Sequence, residues 1–396
     1  MKPSTRLVQL DAAPRDPWRP LVTPLYQTAC FEQPSPLEFG PYDYTRSGNP
    51  TRHVLERQLA DLEGARSAHA FSSGMAALSA VTRLAAGGRI VAGDDLYGGT
   101  HRLLTRVCTE LGIEVDFVDA SDLAALEREL QRPARLVLIE TPTNPLLRIV
   151  DLRAVAEICH KRGALLCVDS SLMTPLLQRP LDLGADLVVH SATKFLCGHG
   201  DVTAGVVAAR DDALAERIAF LQNAEGSGLA PFECWLLLRG LKTLALRVRA
   251  QERTTRRLAR FLVTEPSVTR VHYPGLLSHP GRALHATQAS GSGSVLSFET
   301  GSLERSRELL ESLDLFTVAV SFGSVRSQAS LPCSMSHASI PAETRRARGL
   351  PEDLVRLSIG IEDADDLRRD LARAFESFAQ REDIRSRACA PTGIES

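Results

Sequence analysis

Short runs of almost unbroken apolar residues, separated by amphipathic stretches, constrain this chain more than any other feature. "RIVAG" (89–93), "VDFVD" (115–119), "RLVLIE" (135–140), "ALLCVD" (164–169), "DLVVH" (186–190) and "AGVVAA" (204–209) read as strands. "GTHRLLTRVCTELG", "SDLAALERELQ" and "DLRAVAEICHKRG" read as the helices between them. Ser121 and Asp151 are placed to cap the last two, and Gly163 stands where a helix ends in a left-handed residue. Strands that are hydrophobic throughout must be covered on both faces. Their alternation with helices predicts a mostly parallel sheet in an α/β domain. Ahead of them, Val54, Leu55, Leu59 and Leu62 form one helical stripe within 51–64.

The regular alternation ends near Phe220. A long helical stretch follows, with a break expected near Gly240, then a strand in "GSGSVLSFETG", a helix in "LERSRELLESL", a strand in "LVRLSIGIED" and a closing helix in "DADDLRRDLARAFESFAQ". This irregular order predicts a smaller α+β domain. The boundaries expected are an extended N-terminal arm over 1–47, an α/β domain over 48–232 and a C-terminal α+β domain over 233–396, with the polar tail from Arg381 frayed.

Composition narrows the function classes. A net charge of −2 gives no basic footprint for nucleic acid, and no apolar run is long enough to span a bilayer. The N-terminus has the character of neither a signal nor a transit peptide, so a cytoplasmic protein is expected. The eight cysteines are scattered without a C-x-x-C pair, as reduced thiols in a cytosol would be, and no histidine pair stands at metal-ligand spacing, so no metal site is expected.

Ligands of open α/β sheets bind beyond the carboxyl ends of the strands. There "RLVLIE" runs into Asn144, "ALLCVD" ends on Asp169 with Ser170 and Ser171 behind it, and "DLVVH" runs into Ser191, Thr193 and Lys194. Earlier, "FSSGMAALSAV" places Ser72, Ser73, Gly74 and Met75 at the opening of a helix, where free backbone N–H groups suit a phosphate. A phosphate cradle, a carboxylate and a lysine fit pyridoxal 5′-phosphate. That cofactor needs an amine to bond its aldehyde, an acid partner for its ring nitrogen and an anchor for its phosphate. Tyr97, in "DDLYGGT", could lie flat on the ring. Each residue alone has a plainer reading. Lys194 could be a solvated loop charge, Asp169 a turn cap, Tyr97 packing, and "SSGMAAL" an ordinary N-cap. The combination at the strand ends of one domain favours the cofactor.

The segments "YDYTRSGNPTR" (42–52), "SSGMAAL", "DDLYGGT", "ETPTNP", "HSATKFLCGHGDVTAG" and "LVRLSIGIEDADDL" resemble the pyridoxal-phosphate enzymes of cysteine and methionine metabolism. The resemblance runs from "TPLYQTACF" to about Phe378 and implies the type I fold, that of the aspartate aminotransferases. Within the family, "FLQNAEGSGLAPFECWLLLRGLKTLALRV" and "AVSFGSVRSQASLPCSMSHASIPAETRRARGLPEDLVR" resemble the plant-type cystathionine β-lyases.

The resemblance implies that Lys194 holds the cofactor and moves the proton, that Asp169 pairs with the ring nitrogen, and that Tyr97 stacks on the ring with a possible part in proton movement. Gly74, Met75, Ser191 and Thr193 would hold the phosphate, and Asn144 would support the phenolic-oxygen side. Arg356, with Ser321, would bind the substrate, its guanidinium on the α-carboxylate; a structural ion pair with "EDADD" is the plainer alternative. Tyr44 and Arg46 would reach the phosphate of a neighbouring subunit, in a homotetramer built as a dimer of dimers.

Arg326 stands where γ-acting members carry glutamate, which would remove a negative charge from the distal side of the substrate. Ser170 replaces the usual asparagine and could reorient Asp169. The implied activity is β-elimination of L-cystathionine to homocysteine, pyruvate and ammonia, in methionine biosynthesis. Rival readings are a γ-synthase or γ-lyase, a lyase for cystine or other cysteine conjugates, and a non-catalytic cofactor-binding scaffold. A nucleotide-binding enzyme is disfavoured, since neither G-x-x-x-x-G-K-[ST] nor a strand-borne G-x-G-x-x-G is present.

Overall fold

The computed structural model describes residues 1–9, 18–338 and 340–388, with side chains as far as 377. Seven strands form the larger sheet: β1 (Ser67–Phe71), β2 (Arg89–Gly93), β3 (Glu114–Val118), β4 (Leu136–Glu140), β5 (Leu165–Asp169), β6 (Leu187–Ser191) and β7 (Gly205–Ala209). Their order is β1-β7-β6-β5-β4-β2-β3. Strands β3, β2, β4, β5 and β6 run parallel, while β7 is antiparallel to both β6 and β1. The change of direction follows from the 192–204 connection, which contains no crossover helix, so the chain returns alongside β6.

Every residue of β2, β4 and β7 is buried, which explains their unbroken apolar sequence. Two cores flank the sheet. One gathers Leu55, Leu59, Val137, Val155 and Val188; the other gathers Leu78, Ile90, Leu104, Leu138 and Val207.

The second sheet holds β8 (Arg270–His272), β9 (Val295–Glu299), β10 (Thr317–Val318), β11 (Gln328–Ser330) and β12 (Leu354–Ser358) in the order β10-β11-β12-β9-β8. Only the β10–β11 pair is parallel. Its core joins Phe298, Val355 and Leu357 to Leu258 and Leu262 of the helix Leu244–Thr264, and to Leu367 and Phe375 of the helix Ala364–Ala388.

Some local expectations hold and others are corrected. The helix expected over 99–112 begins at Gly98–Arg102 and widens into a π-helical segment, Leu103–Cys108. Its neighbour is capped by Asp122, whose side chain accepts from the Ala125 N–H, while Ser121 binds Asp119 instead. Asp151 caps its helix through the Ala154 N–H, and Gly163 has φ +70°. The long helical stretch breaks at Lys242–Thr243, between Pro231–Leu241 and Leu244–Thr264. The arm starts with a helix, Pro3–Gln9, whose Leu7 is fully buried against Leu55 and Leu59, rather than as extended chain. The closing helix continues through Ala388, beyond the expected fraying point at Arg381; the expectation for 389–396 lies outside the described residues.

Candidate active site

The register of the larger sheet brings three polar strand ends together. Glu140 of β4 is paired with Asp169 of β5, and Asp169 with Val189 of β6, two residues before Ser191. The chain then turns tightly: the Lys194 N–H donates to the Ser191 carbonyl, and the Gly198 N–H to that of Lys194. The buried Arg247, from the helix Leu244–Thr264, donates to the carbonyls of Phe195, Leu196 and Gly240, pinning the segment after the lysine.

A cavity of about 540 Å³ opens over these strand ends. Ser73, Gly74, Met75, Tyr97, Asn144, Asp169, Ser191, Thr193, Lys194, Ser321 and Arg356 all line it. The sequence-expected residues therefore converge, except Tyr44 and Arg46. These two lie outside the cavity of their own chain; Arg46 sits 5.5 Å from the Tyr44 ring centroid and donates to Asn223.

The cradle end of the cavity is the start of the helix Gly74–Thr82. Ser73 caps it by accepting from the Ala76 N–H. A Cβ on Gly74 would lie 2.9 Å from that of Ser191, so only glycine lets the helix end meet the serine. The Ser191 hydroxyl beside this N-terminus suits a dianionic phosphate, and Thr193 also lines the cavity, its hydroxyl donating to the Ala204 carbonyl and accepting from the Ala204 N–H. Tyr97 lines the cavity and is 40% exposed, and its N–H donates to Glu140 Oε2 at 3.3 Å.

Lys194 and Arg356 occupy the opposite wall. Lys194 Nζ donates to Ser321 Oγ and stands 4.9 Å from the Phe322 ring centroid. Burial, and then the Arg356 charge, lower the lysine to about 8, with Asp169 opposing the shift. Arg356, central in β12 and 2% exposed, donates to Asn144 Oδ1 at 2.8 Å and to the Ser321 carbonyl at 2.6 Å. Its Nε has no partner in the protein, and burial lowers the group to about 10. Arg356 makes no ion pair with the acidic residues that follow it among the described contacts.

Ser321 holds φ +88°, an uncommon conformation for a side chain-bearing residue and one that costs about 1–3 kcal/mol. Gly323, at φ +86°, lets the loop press on the lysine backbone: a Cβ there would lie 2.7 Å from the Phe195 nitrogen.

Asp169 is oriented by Ser171, whose N–H donates to Oδ1 at 2.9 Å; Ser171 Oγ in turn accepts from the Ser191 N–H. Burial raises Asp169, and the Ser171 bonds oppose that shift. Ser170 is fully buried and its hydroxyl meets no partner, so Ser171 and not Ser170 sets the carboxylate. Arg326 is exposed and does not line the cavity, so its place in sequence carries no charge to the site.

Glu140 is a cavity residue that sequence reasoning passed over. It lines the cavity, and burial followed by the charges of Asp169 and Asp95 holds its carboxyl well above the usual range. The signal was present, since "RLVLIE" ends on an acid at the position matching Asp169 of the next strand. Ser336, Phe322 and Thr203, also lining the cavity, had no signal short of the fold.

A capped helix terminus flanked by hydroxyls, a buried carboxylate and an enclosed lysine of lowered pKa define a site suited to pyridoxal 5′-phosphate, on the type I fold. The family model for Cys/Met metabolism PLP-dependent enzymes matches residues 4–376, and the chain belongs to that family. It is 56% identical over 376 residues to the chloroplastic cystathionine β-lyase of Arabidopsis thaliana, covering 95% of this chain and 81% of that protein. A cystathionine γ-lyase of Bacillus subtilis is 46% identical over 356 residues, covering 90% and 94%. Among solved structures, the cystathionine γ-synthase of Xanthomonas oryzae pv. oryzae in complex with cystathionine superposes with a TM-score of 0.94 at 40% identity, covering 96% of this chain and 99% of that one. The chain is thus a pyridoxal-phosphate enzyme.

Proposed function

We propose that this enzyme cleaves L-cystathionine by β-elimination, giving homocysteine, pyruvate and ammonia in methionine biosynthesis. The observation that carries the reading is the 56% identity to the Arabidopsis β-lyase over 95% of the chain, supported by a cavity that combines an enclosed amine with a buried guanidinium.

Pyridoxal phosphate, when bound, supplies a ring that accepts the electron pair left at the substrate α-carbon. The rest of the chemistry falls to the protein. The helix terminus at Gly74 and Met75, with Ser191 and Thr193, holds the phosphate. Asp169, set by Ser171, would pair with the ring nitrogen and favour its protonated form, and Asn144 would support the cofactor from the phenolic-oxygen side. Tyr97 would stack on the ring. Arg356 takes the substrate α-carboxylate; its Nε, buried without a partner, is a donor left free. Lys194 removes the α-proton. Its lowered pKa suits that task, because a larger share of the amine is unprotonated near neutrality. Ser321 steadies the amine through its hydroxyl.

The active assembly proposed is a homotetramer, a dimer of dimers with the 1–47 arm reaching a neighbouring subunit. Supporting this, Trp18, Leu21, Leu37 and Phe39 of the arm are largely exposed, and Tyr44 and Arg46 face away from their own cavity. The α/β domain then spans 48–232 and the α+β domain 233–396. Among the described residues no helix is long and apolar enough to cross a membrane. With seven described cysteines unpaired, a cytoplasmic setting is proposed.

Purified enzyme incubated with L-cystathionine tests the reaction. Pyruvate as the main keto acid supports β-elimination; 2-oxobutyrate in its place overturns it in favour of γ-elimination.

A further inference from the structure

Ser336 and His337 lie on the turn after β11, where the second domain closes over the cavity. The main chain here packs on Gly98, whose Cβ, if present, would lie 2.4 Å from the Ser336 carbonyl oxygen. Ser336 is half-buried and lines the cavity; His337, 1% exposed, stands behind it. Nε2 of the imidazole lies 3.1 Å from the Asn144 carbonyl oxygen, Nδ1 lies 2.9 Å from Ser336 Oγ, and the Leu96 carbonyl is a further acceptor near the ring.

The Asn144 contact, at 3.1 Å, favours one placement of the ring proton. A carbonyl oxygen only accepts, so Nε2 carries a proton. Burial, and then the Arg356 charge, push His337 down to about 4, so the ring is neutral at physiological pH and has one proton to give. Nδ1 is then an acceptor, and the hydrogen meeting it is that of the Ser336 hydroxyl. A hydroxyl has a single hydrogen. Toward the cavity, Ser336 therefore offers lone pairs alone.

We propose that Ser336, with its hydroxyl polarity set by His337, is a specificity residue that accepts a hydrogen bond from an ammonium on the leaving half of the thioether substrate. The inference rests on the activity proposed above. In L-cystathionine the amine of the cleaved half goes to the cofactor and its carboxylate to Arg356. The charged groups that remain are the ammonium and carboxylate of the distal half. An acceptor-only hydroxyl favours the first and repels the second. Its cavity neighbours Met335, Ala338 and Val320 offer apolar surface to the carbon chain and no competing acceptor side chain oxygen. His337 acts as a positioning residue: it touches no substrate and works through Ser336.

The test compares two thioethers, L-cystathionine and S-(3-carboxypropyl)-L-cysteine, which lacks only the distal amine. The ratio of their kcat/KM values is measured for the wild type, Ser336→Ala and Ser336→Thr by pyruvate release. A hydrogen bond to a charged group predicts that the preference for L-cystathionine falls about tenfold or more in Ser336→Ala. Ser336→Thr, which keeps the hydroxyl, should hold the wild-type ratio within about threefold. An unchanged ratio in Ser336→Ala overturns the proposal.

The His337 tautomer, read by NMR on protein labelled with ¹⁵N-histidine, is the second measurement. The proton is expected on Nε2. A proton found on Nδ1 would reverse the polarity of Ser336 and refute the proposal. If neither thioether yields pyruvate, the activity reading falls. The ratio of their affinities, read from the visible absorbance of the bound cofactor, then still decides whether Ser336 favours the amine.

Discussion

Replacing the central lysine should stabilise the cofactor-free protein while abolishing its activity. Lys194 is lowered from 10.5 to about 8 by burial and by Arg356. Its native pKa lies below its unfolded value, so the native state binds fewer protons between those two values. The destabilisation is complete below pH 8, declines as pH rises and is gone above 10.5. The shift corresponds to about 3 kcal/mol at pH 7 and about 1 kcal/mol at pH 9.5.

Lys194→Met keeps the apolar stem and removes the charge. It also removes the bond to Ser321 Oγ, worth about 1 kcal/mol. The net gain is therefore about 2 kcal/mol at pH 7 and near zero at pH 9.5. With an unfolding entropy of ~2.1 cal/mol/K per residue, this 396-residue chain should show a Tm gain of about 2–3 °C at pH 7 that disappears by pH 9.5. Calorimetry on the two cofactor-free proteins, across that pH range and at one protein concentration, reads the difference. A Tm for Lys194→Met below that of the wild type at pH 7, or a gain that does not change with pH, would refute the reasoning.

Two other substitutions probe the same wall. Arg356→Leu should lower kcat/KM for pyruvate release by a hundredfold or more, roughly 3 kcal/mol, with Arg356→Lys recovering only part because it lacks the paired donors. An effect under about tenfold would remove Arg356 from carboxylate binding. Glu140→Gln should change holoenzyme stability by less than about 1 kcal/mol, because burial and the neighbouring acids raise this carboxyl well above the usual range and so favour the neutral form that an amide resembles; a large loss on thermal denaturation would mean that Glu140 works as an anion.

The parts of this molecule that sequence made legible are those written in local pattern. Strands buried on both faces leave unbroken apolar runs, as in β2, β4 and β7, and β2 through β7 all lie within a residue or two of their expected places, although the edge strand β3 is only partly buried. The strand β1, "SAHAF", has small residues and His69 in place of such a run, and it forms through pairing with the distant β7. The N-terminal helix is short and owes its position to Leu7 in a core built mainly by later residues. At the site, the residues that carry chemistry stood in recognisable segments, and Lys194, Asp169 and Arg356 converge.

What sequence could not supply is the direction in which neighbouring side chains point. Ser170 and Ser171 are adjacent and chemically alike, yet the first turns into the interior and the second holds Asp169. Arg326 follows the Ser321 loop closely in sequence but projects to solvent. His337 carries no signal in sequence; only the fold brings the distant Asn144 against it.

The most direct measurement of the account is chemical. Holoenzyme reduced with borohydride, digested and analysed by mass spectrometry should carry one phosphopyridoxyl group per chain, on the peptide containing Lys194. A label on another lysine, or none on protein that has been saturated with pyridoxal phosphate, would contradict the site as described.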